Sequence, residues 1–272
     1  MPELPEVETI ARDLRGLLIG ASIRDVRVRD GRVVRGMTPP AFRRKLRGRV
    51  IADVFRRGKA IIFPFAGSPE YLVVQLMMTG QLIAGASSLP QKDSRIIFSL
   101  SSGGFLHYND QRLFGRLQIV KDLSELKYFQ ILGPEPLTKD FNAGWIERLL
   151  SRRKAPIKSV LMDHTFVAGI GNIYASEILF ESGIDPRRPA SSLNKEEYRI
   201  LLKKITGVLR RAIKQRGTSM NNYRDSAGQK GGFMKSIKVY GRENEKCPRC
   251  SAKIQRLVQS GRSTFFCEGC QN

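Results

Sequence analysis

The apolar positions fall into two regimes along the chain. In residues 5–18, Val7, Ile10, Ala11, Leu14, Leu17 and Leu18 recur at helical spacing and Gly20 stops the pattern, which predicts one amphipathic helix. The next stretches are short and rich in Val, Ile and Phe: residues 23–34, 50–65, 71–83, 94–100 and 104–108, the last two around a turn at 101–104. They predict mostly antiparallel sheet. Residues 133–144, with two prolines and no periodicity, read as a linker. Beyond it the period turns helical at 145–153, 156–163, 171–182 and 194–215, each run bounded by Gly, Pro or Asn. A Gly, Ser and Asn-rich stretch from 217 to 232 reads as a mobile loop, and a cysteine-bracketed module closes the chain. The predicted class is α+β with two domains: a β domain with its helix over 1–132, a linker, a helical domain over 145–240 and the module over 241–272.

Charge narrows the class of partner. Lys and Arg number 47 against 25 Asp and Glu, a net charge of +22. Residues 1–150 carry 23 basic and 15 acidic side chains, and the remainder 24 and 10, so both halves are expected to face a polyanion. A merely soluble basic surface is the plainer alternative. There is no run of eighteen apolar residues, and Glu3, Glu6, Glu8 and Asp13 stand where a secretory signal would be basic and then apolar. The expectation is a soluble protein of the cytoplasm, with no membrane partner.

The four cysteines add a metal. Cys247 and Cys250, then Cys267 and Cys270, form two C-x-x-C pairs separated by sixteen residues, the spacing of a zinc ribbon. Two disulfides or a redox pair are the alternatives, but nothing else in the chain points to secretion. One structural zinc is predicted, contributing roughly 10–16 kcal/mol to a module too small for a core of its own. Between the pairs, Arg256, Arg262, Thr264, Phe265 and Phe266 suit a basic, aromatic hairpin facing a nucleic-acid groove.

The amino terminus supplies a nucleophile. Removal of Met1 would leave Pro2 as a free secondary amine, whose pKa of about 8 makes it partly deprotonated where a lysine at about 10.4 would be protonated. Such an amine can attack a sugar's anomeric carbon, expel the base and leave an iminium that acidifies the adjacent C–H. Glu3 stands beside it as a proton shuttle.

The opening PELPEVET resembles bacterial formamidopyrimidine-DNA glycosylases. So do Arg57-Gly-Lys59, Leu76-Met-Met78-Thr-Gly80, Asn109-Asp-Gln-Arg112-Leu-Phe114-Gly115, Leu132-Gly-Pro-Glu-Pro136, Gly169-Ile-Gly-Asn172-Ile-Tyr-Ala-Ser-Glu177 and the closing finger. Leu at position 4, where the related endonuclease VIII group has Gly, favours an oxidised-purine substrate over an oxidised pyrimidine. The resemblance implies an amino-terminal β-sandwich, a helix-two-turn-helix domain and a zinc finger, acting as a monomer on duplex DNA with damaged bases or abasic sites. It implies excision of 8-oxoguanine and formamidopyrimidines followed by strand nicking through β,δ-elimination, at the bacterial nucleoid.

Roles follow for matching positions: Pro2 as nucleophile, Glu3 as acid/base, Lys59 as proton donor and phosphate contact, and Arg262 as phosphate clamp. Met78, Arg112 and Phe114 match a trio that fills the gap left when the damaged nucleotide is extruded. Asn172 is expected to face a phosphate at a helix start, either beside or as an ordinary N-cap. Arg95, Arg153 and Lys154 are further expected DNA contacts. Gln75, Met77, Arg95, Gln111 and Leu113 depart from the family's usual residues, and bear on opposite-base preference and on handling of the flipped lesion. A non-catalytic zinc-ribbon DNA-binding protein would not need Pro2, Glu3 and Lys59, all present here.

Overall fold

The computed structural model describes residues 1–220 and 222–272. Contacts divide the chain into two compact units, one of residues 1–130 and 215–234, the other of 131–214 and 235–272. The segment 215–234, which the sequence pattern places with the helical domain, packs in the first unit.

The first unit opens on helix α1 (Leu4–Leu18), with Pro5 in its first turn. Its buried stripe is Leu4, Val7, Ile10, Ala11, Leu14 and Leu18, while Leu17 is exposed. Two four-stranded antiparallel sheets follow. One has the order β1 (Ile23–Val28), β6 (Ser94–Leu100), β7 (Phe105–Asp110), β5 (Gly80–Gly85). The other has the order β2 (Phe55–Arg57), β3 (Ala60–Pro64), β4 (Tyr71–Gln75), β8 (Arg116–Val120). Val26, Phe98, Leu106 and Leu82 from the first sheet join Ile61, Phe63, Val74 and Leu117 from the second in one core, with the α1 stripe. Ala60, Ile62 and Val73 point the other way, toward Tyr128 and Phe129 at the short helix α3 (Lys127–Gln130). Strand β3 is thus covered on both faces, which is why its sequence is continuously apolar.

Three stretches depart from the predicted strands. Residues 23–34 end as a strand at Val28, and Gly31–Val33 form a 3-10 turn because the Asp30 carboxylate accepts from Arg32 N at 3.1 Å. Residues 50–65 hold a hairpin, β2 and β3, with Gly58 at φ 59° in the turn. Residues 71–83 hold β4 and β5, which lie in different sheets, and the chain crosses between them at Leu76–Thr79 with Met77 at φ 51°. Helix α2 (Pro39–Leu46), with two prolines in its first turn, lies against β1.

The second unit is built from α4 (Ala143–Leu150), α5 (Ile157–Met162), α6 (Asn172–Ser182) and α7 (Lys195–Lys214). Helix α6 is buried without a break from Tyr174 to Phe180 and touches both α5 and α7. It ends at Gly183 in the left-handed region, φ 72°, whose N–H turns back to Leu179 and Phe180. Helix α7 is amphipathic and buries Tyr198, Leu201, Ile205, Val208, Leu209 and Ala212. The antiparallel hairpin β9 (Gln255–Gln259) and β10 (Arg262–Phe266) rests on α6 through a cluster of Phe180, Val239, Ile254 and Phe265.

Candidate active site and nucleic-acid interface

In the first unit the start of α1 is held by Glu6. One of its carboxylate oxygens accepts from Glu3 N at 2.8 Å and the other from Thr218 N at 2.6 Å, in a pocket where Glu3 and Glu6 are only 3% and 2% exposed. The Met1 ammonium, one residue before Pro2, has its pKa lowered, chiefly because burial disfavours the charged form; Glu3 and Glu6 oppose the shift and Lys59 reinforces it. Lys59 therefore lies within electrostatic reach of the amino terminus. It sits in the β2–β3 turn, with its N–H donating to the Tyr128 hydroxyl at 2.8 Å. That turn is tied to α1 by Arg56, which donates to Glu8 at 2.9 Å and to Gly58 O at 3.0 Å. Pro2, Glu3 and Lys59, 57 positions apart at the extremes, are thus drawn toward one another through an α1–Glu8–Arg56–turn connection.

The segment after α7 closes over the same region. Arg216, at φ 62°, donates to Asp13 at 2.5 Å and to Asp225 at 2.7 Å. Asp225 also accepts from Ala227 N and Gln229 N, and Ser226 Oγ donates to Asp13 at 3.0 Å. Gly217, at φ 77°, lies so near Glu6 that a Cβ there would meet the carboxylate at 2.7 Å.

Met78, Arg112 and Phe114 occupy two adjacent turns organised by one buried carboxylate. Asp110 accepts from Thr79 Oγ1 at 2.5 Å, Arg112 N at 3.3 Å, Gly115 N at 2.8 Å and the Tyr108 hydroxyl at 3.2 Å. Burial pushes the Tyr108 hydroxyl well above its ordinary pKa, with Asp110 adding to the shift, so it stays a donor. Thr79 also accepts from Arg112 N at 3.0 Å, linking the turn that carries Met78 to the one that carries Arg112 and Phe114. Leu113 between them is at φ 59°. Met78 and Phe114 are 43% and 47% exposed, large apolar groups at the surface where isolated packing would have buried them. The Arg112 guanidinium lies 4.5 Å from the Phe114 ring centre. Arg95 is engaged with the same corner, its Nε donating to Asp110 O at 2.8 Å.

In the second unit Asn172 is the first residue of α6, and Gly171 is the N-cap. The reading of Asn172 as a possible N-cap is therefore corrected: its side chain instead donates to Ser263 O at 3.0 Å and accepts from Lys158 Nζ at 2.6 Å. Lys158, 1% exposed, also donates to Ser263 O at 3.0 Å and Thr264 Oγ1 at 2.7 Å. Its charge is accommodated by three oxygens that hold the strand beginning at Arg262. Arg153 pairs with Asp163 at 2.5 Å, and Lys154 is exposed.

The sulfurs of Cys247, Cys250, Cys267 and Cys270 lie within 4.8 Å of one another, with 3.8 Å between Cys247 and Cys270 and 3.4 Å between Cys250 and Cys267. A tetrahedral zinc with bonds of about 2.3 Å needs sulfurs roughly 3.8 Å apart, whereas a disulfide needs about 2.05 Å. The donor set fits one closed zinc site, and Arg249 N approaches Cys247 Sγ at 3.4 Å, as in a ribbon knuckle.

Sequence reasoning passed over Glu6, Asp110, Thr79, Lys158 and Glu177. Glu177, 2% exposed on α6, accepts from the N–H groups of Lys238, Val239 and Tyr240 at 2.8–2.9 Å and fixes the approach to the finger. All but Lys158 sit inside a quoted motif, and for the four charged residues the signal available was an acid or lysine at an otherwise apolar or turn position.

The comparisons with known proteins cover the same three parts. Residues 1–117 match the formamidopyrimidine-DNA glycosylase N-terminal domain, 132–224 its H2TH domain and 244–272 the zinc finger found in these enzymes and in IleRS. The formamidopyrimidine-DNA glycosylase of Desulfitobacterium hafniense is 42% identical over the full length of both chains, and that of Moorella thermoacetica 44% identical over 94% of each. Among solved structures, the Lactococcus lactis Fpg in complex with DNA containing an abasic site superposes with a TM-score of 0.92 at 33% identity over 99% of both chains. The Thermus thermophilus MutM (Fpg) protein gives 0.89 at 39% identity over 99% of this chain and 98% of its own. With sandwich, H2TH helices and finger each matched in order along the whole sequence, the chain belongs to the formamidopyrimidine-DNA glycosylase family.

Proposed function

We propose that this protein excises oxidised purines, 8-oxoguanine and formamidopyrimidines, from duplex DNA and then cleaves the strand as an abasic-site lyase. The observation that carries the reading is the start of α1, where Pro2, Glu3 and Glu6 are buried together and Lys59 lies within electrostatic reach of the amino terminus. Lactococcus lactis Fpg structures hold DNA containing an abasic site or Fapy-dG, which supports the same substrate class.

Once Met1 is removed, the Pro2 nitrogen attacks C1′ of the damaged nucleotide and the base leaves with its electron pair. Glu3 moves protons at that centre. The nitrogen lone pair then breaks the C1′–O4′ bond, O4′ takes up a proton, and the resulting iminium acidifies the adjacent C–H, so that elimination expels the 3′ phosphate and then the 5′ phosphate, with Lys59 as proton donor and phosphate contact. Met78, Arg112 and Phe114 fill the vacated stack, a role their exposure and shared Asp110 anchor support. Asn172, Arg153, Lys154, Arg95 and Arg262 are assigned to the phosphate backbone. When bound, zinc holds the hairpin and takes no chemical step. Among the described residues no helix is long and apolar enough to cross a membrane. The protein is assigned to the bacterial cytoplasm, at the nucleoid, as a monomer.

The test is borohydride trapping on duplexes carrying 8-oxoguanine, formamidopyrimidine, dihydrouracil or an abasic site. Trapping on the two purine lesions and the abasic site is expected, and Pro2→Gly, or an extension blocking the amino terminus, should abolish it while leaving DNA binding largely intact. Undiminished trapping in the blocked protein would overturn the assignment.

A further inference from the structure

The first unit carries a groove that the proposed chemistry does not use. It lies between β1 and α2, has a volume of about 730 Å³, and is lined by Asp25, Arg27 and Val28 on the strand and by Pro39, Pro40, Arg43, Arg44 and Arg47 on the helix side. Four arginines face one aspartate. Asp25 is held below the usual carboxylate range first by its hydrogen bond from Arg43, so it remains ionised and fixes Arg43 across the groove at 2.6 and 3.0 Å. Arg27, Arg44 and Arg47 are exposed, and none makes an ion pair among the described residues. The local charge is therefore about +3 in a concave site with a rigid proline lip, a geometry that concentrates field on a bound anion.

We propose that this groove is a second phosphate track, which takes the backbone of duplex DNA beyond the segment engaged by the catalytic residues. The inference rests on the reading of the protein as a DNA enzyme, and two observations favour a duplex as the occupant. First, the strand that lines the groove is hydrogen-bonded to the corner that carries Arg112. At its Val28 end Arg29 donates to Ser94 O at 3.1 Å and, through its N–H, to Arg95 O at 2.8 Å; Arg95 in turn donates to Asp110 O at 2.8 Å. Second, α2 has eight residues, roughly 12 Å of helix, long enough to face successive phosphates of one strand. Guanidinium groups at positions 43, 44 and 47 suit repeated phosphate contacts.

The experiment compares the full-length protein with the triple variant Arg27→Gln, Arg44→Gln, Arg47→Gln, and with the control Lys203→Gln, Arg210→Gln, Lys214→Gln, which loses the same charge elsewhere. Affinity is measured against salt on an undamaged duplex of about 40 base pairs, and excision on a lesion duplex of about 13. At roughly 0.9 per phosphate, the triple variant should lower the salt slope by two to three units on the long duplex and weaken binding at least tenfold. Excision on the short duplex should stay within twofold. An unchanged slope, or equal losses in the control, would overturn the second track, as would an equal loss on the short duplex. Absence of excision by the unaltered protein would refute the glycosylase reading while leaving the affinity comparison legible.

Discussion

Replacement of Asp110 by Asn should separate lesion handling from strand cleavage. The carboxylate has four acceptor positions and four donors meet them: Thr79 Oγ1, Arg112 N, Gly115 N and the Tyr108 hydroxyl. An amide of the same shape keeps one oxygen and turns an NH2 toward two of those donors, so about two hydrogen bonds are lost and two buried donors face a third. At about 1–1.5 kcal/mol for each bond, with a further fraction for the unsatisfied groups, the variant should lose roughly 3 kcal/mol. For a unit of this size that lowers Tm by about 6–12 °C, readable by calorimetry. The same change frees the turn that keeps Leu113 at φ 59°, and with it Arg112 and Phe114. Excision of 8-oxoguanine from duplex should fall at least tenfold, while cleavage at a preformed abasic site, which needs no extrusion of an intact base, should fall less than threefold. Equal losses in both reactions, or a Tm within 2 °C of the parent, would refute the claim that one carboxylate organises the gap-filling turns.

Three more outcomes follow from the geometry. Gly217→Ala places a Cβ 2.7 Å from the Glu6 carboxylate at a left-handed φ, a strain of about 1–2 kcal/mol before any displacement, and should slow excision more than abasic-site cleavage in single-turnover assays. Lys158→Met removes the donor shared by Asn172, Ser263 and Thr264; affinity for a lesion duplex should fall by roughly 1–3 kcal/mol with zinc content unchanged, and equal affinity would show that the hairpin holds itself. Chelation, or Cys267→Ser, should unfold the finger and cut DNA affinity through loss of Arg262, checked by anisotropy alongside metal analysis.

What could be read from the residues depended on how local the cause was. The α1 stripe, the four long helical runs and the zinc knuckles are set by spacing over a few residues, and they stand in the structure. Helix α2 escaped notice because Pro39 and Pro40 look like breakers, although in a first turn they cost no hydrogen bond. The step between sheets at Leu76–Thr79 contains no Gly, Pro or Asn. It is imposed from 31 positions away by Asp110, so the apolar run 71–83 looked like one strand. Of the catalytic residues, only Pro2 and its neighbour Glu3 had a chemistry their own positions suggested. Lys59 is one of many lysines until the Glu8–Arg56 bridge brings its turn to the amino terminus, and only the likeness to a family pointed there.

The two oxygens of Glu6 reach segments more than two hundred positions apart, Glu3 on one side and Thr218 on the other. No other side chain substitutes for both: glutamine offers a single acceptor oxygen, and aspartate is one carbon too short to span the same gap. A bulkier residue at 217 strikes the carboxylate, and proline at 218 removes the N–H it accepts. Inheritance should therefore treat these positions as a linked set. Among relatives, change at 6 is expected only with change at 217 and 218, and a chimaera joining one relative's first hundred residues to another's carboxy-terminal half should retain activity only where this interlock is matched on both sides of the seam.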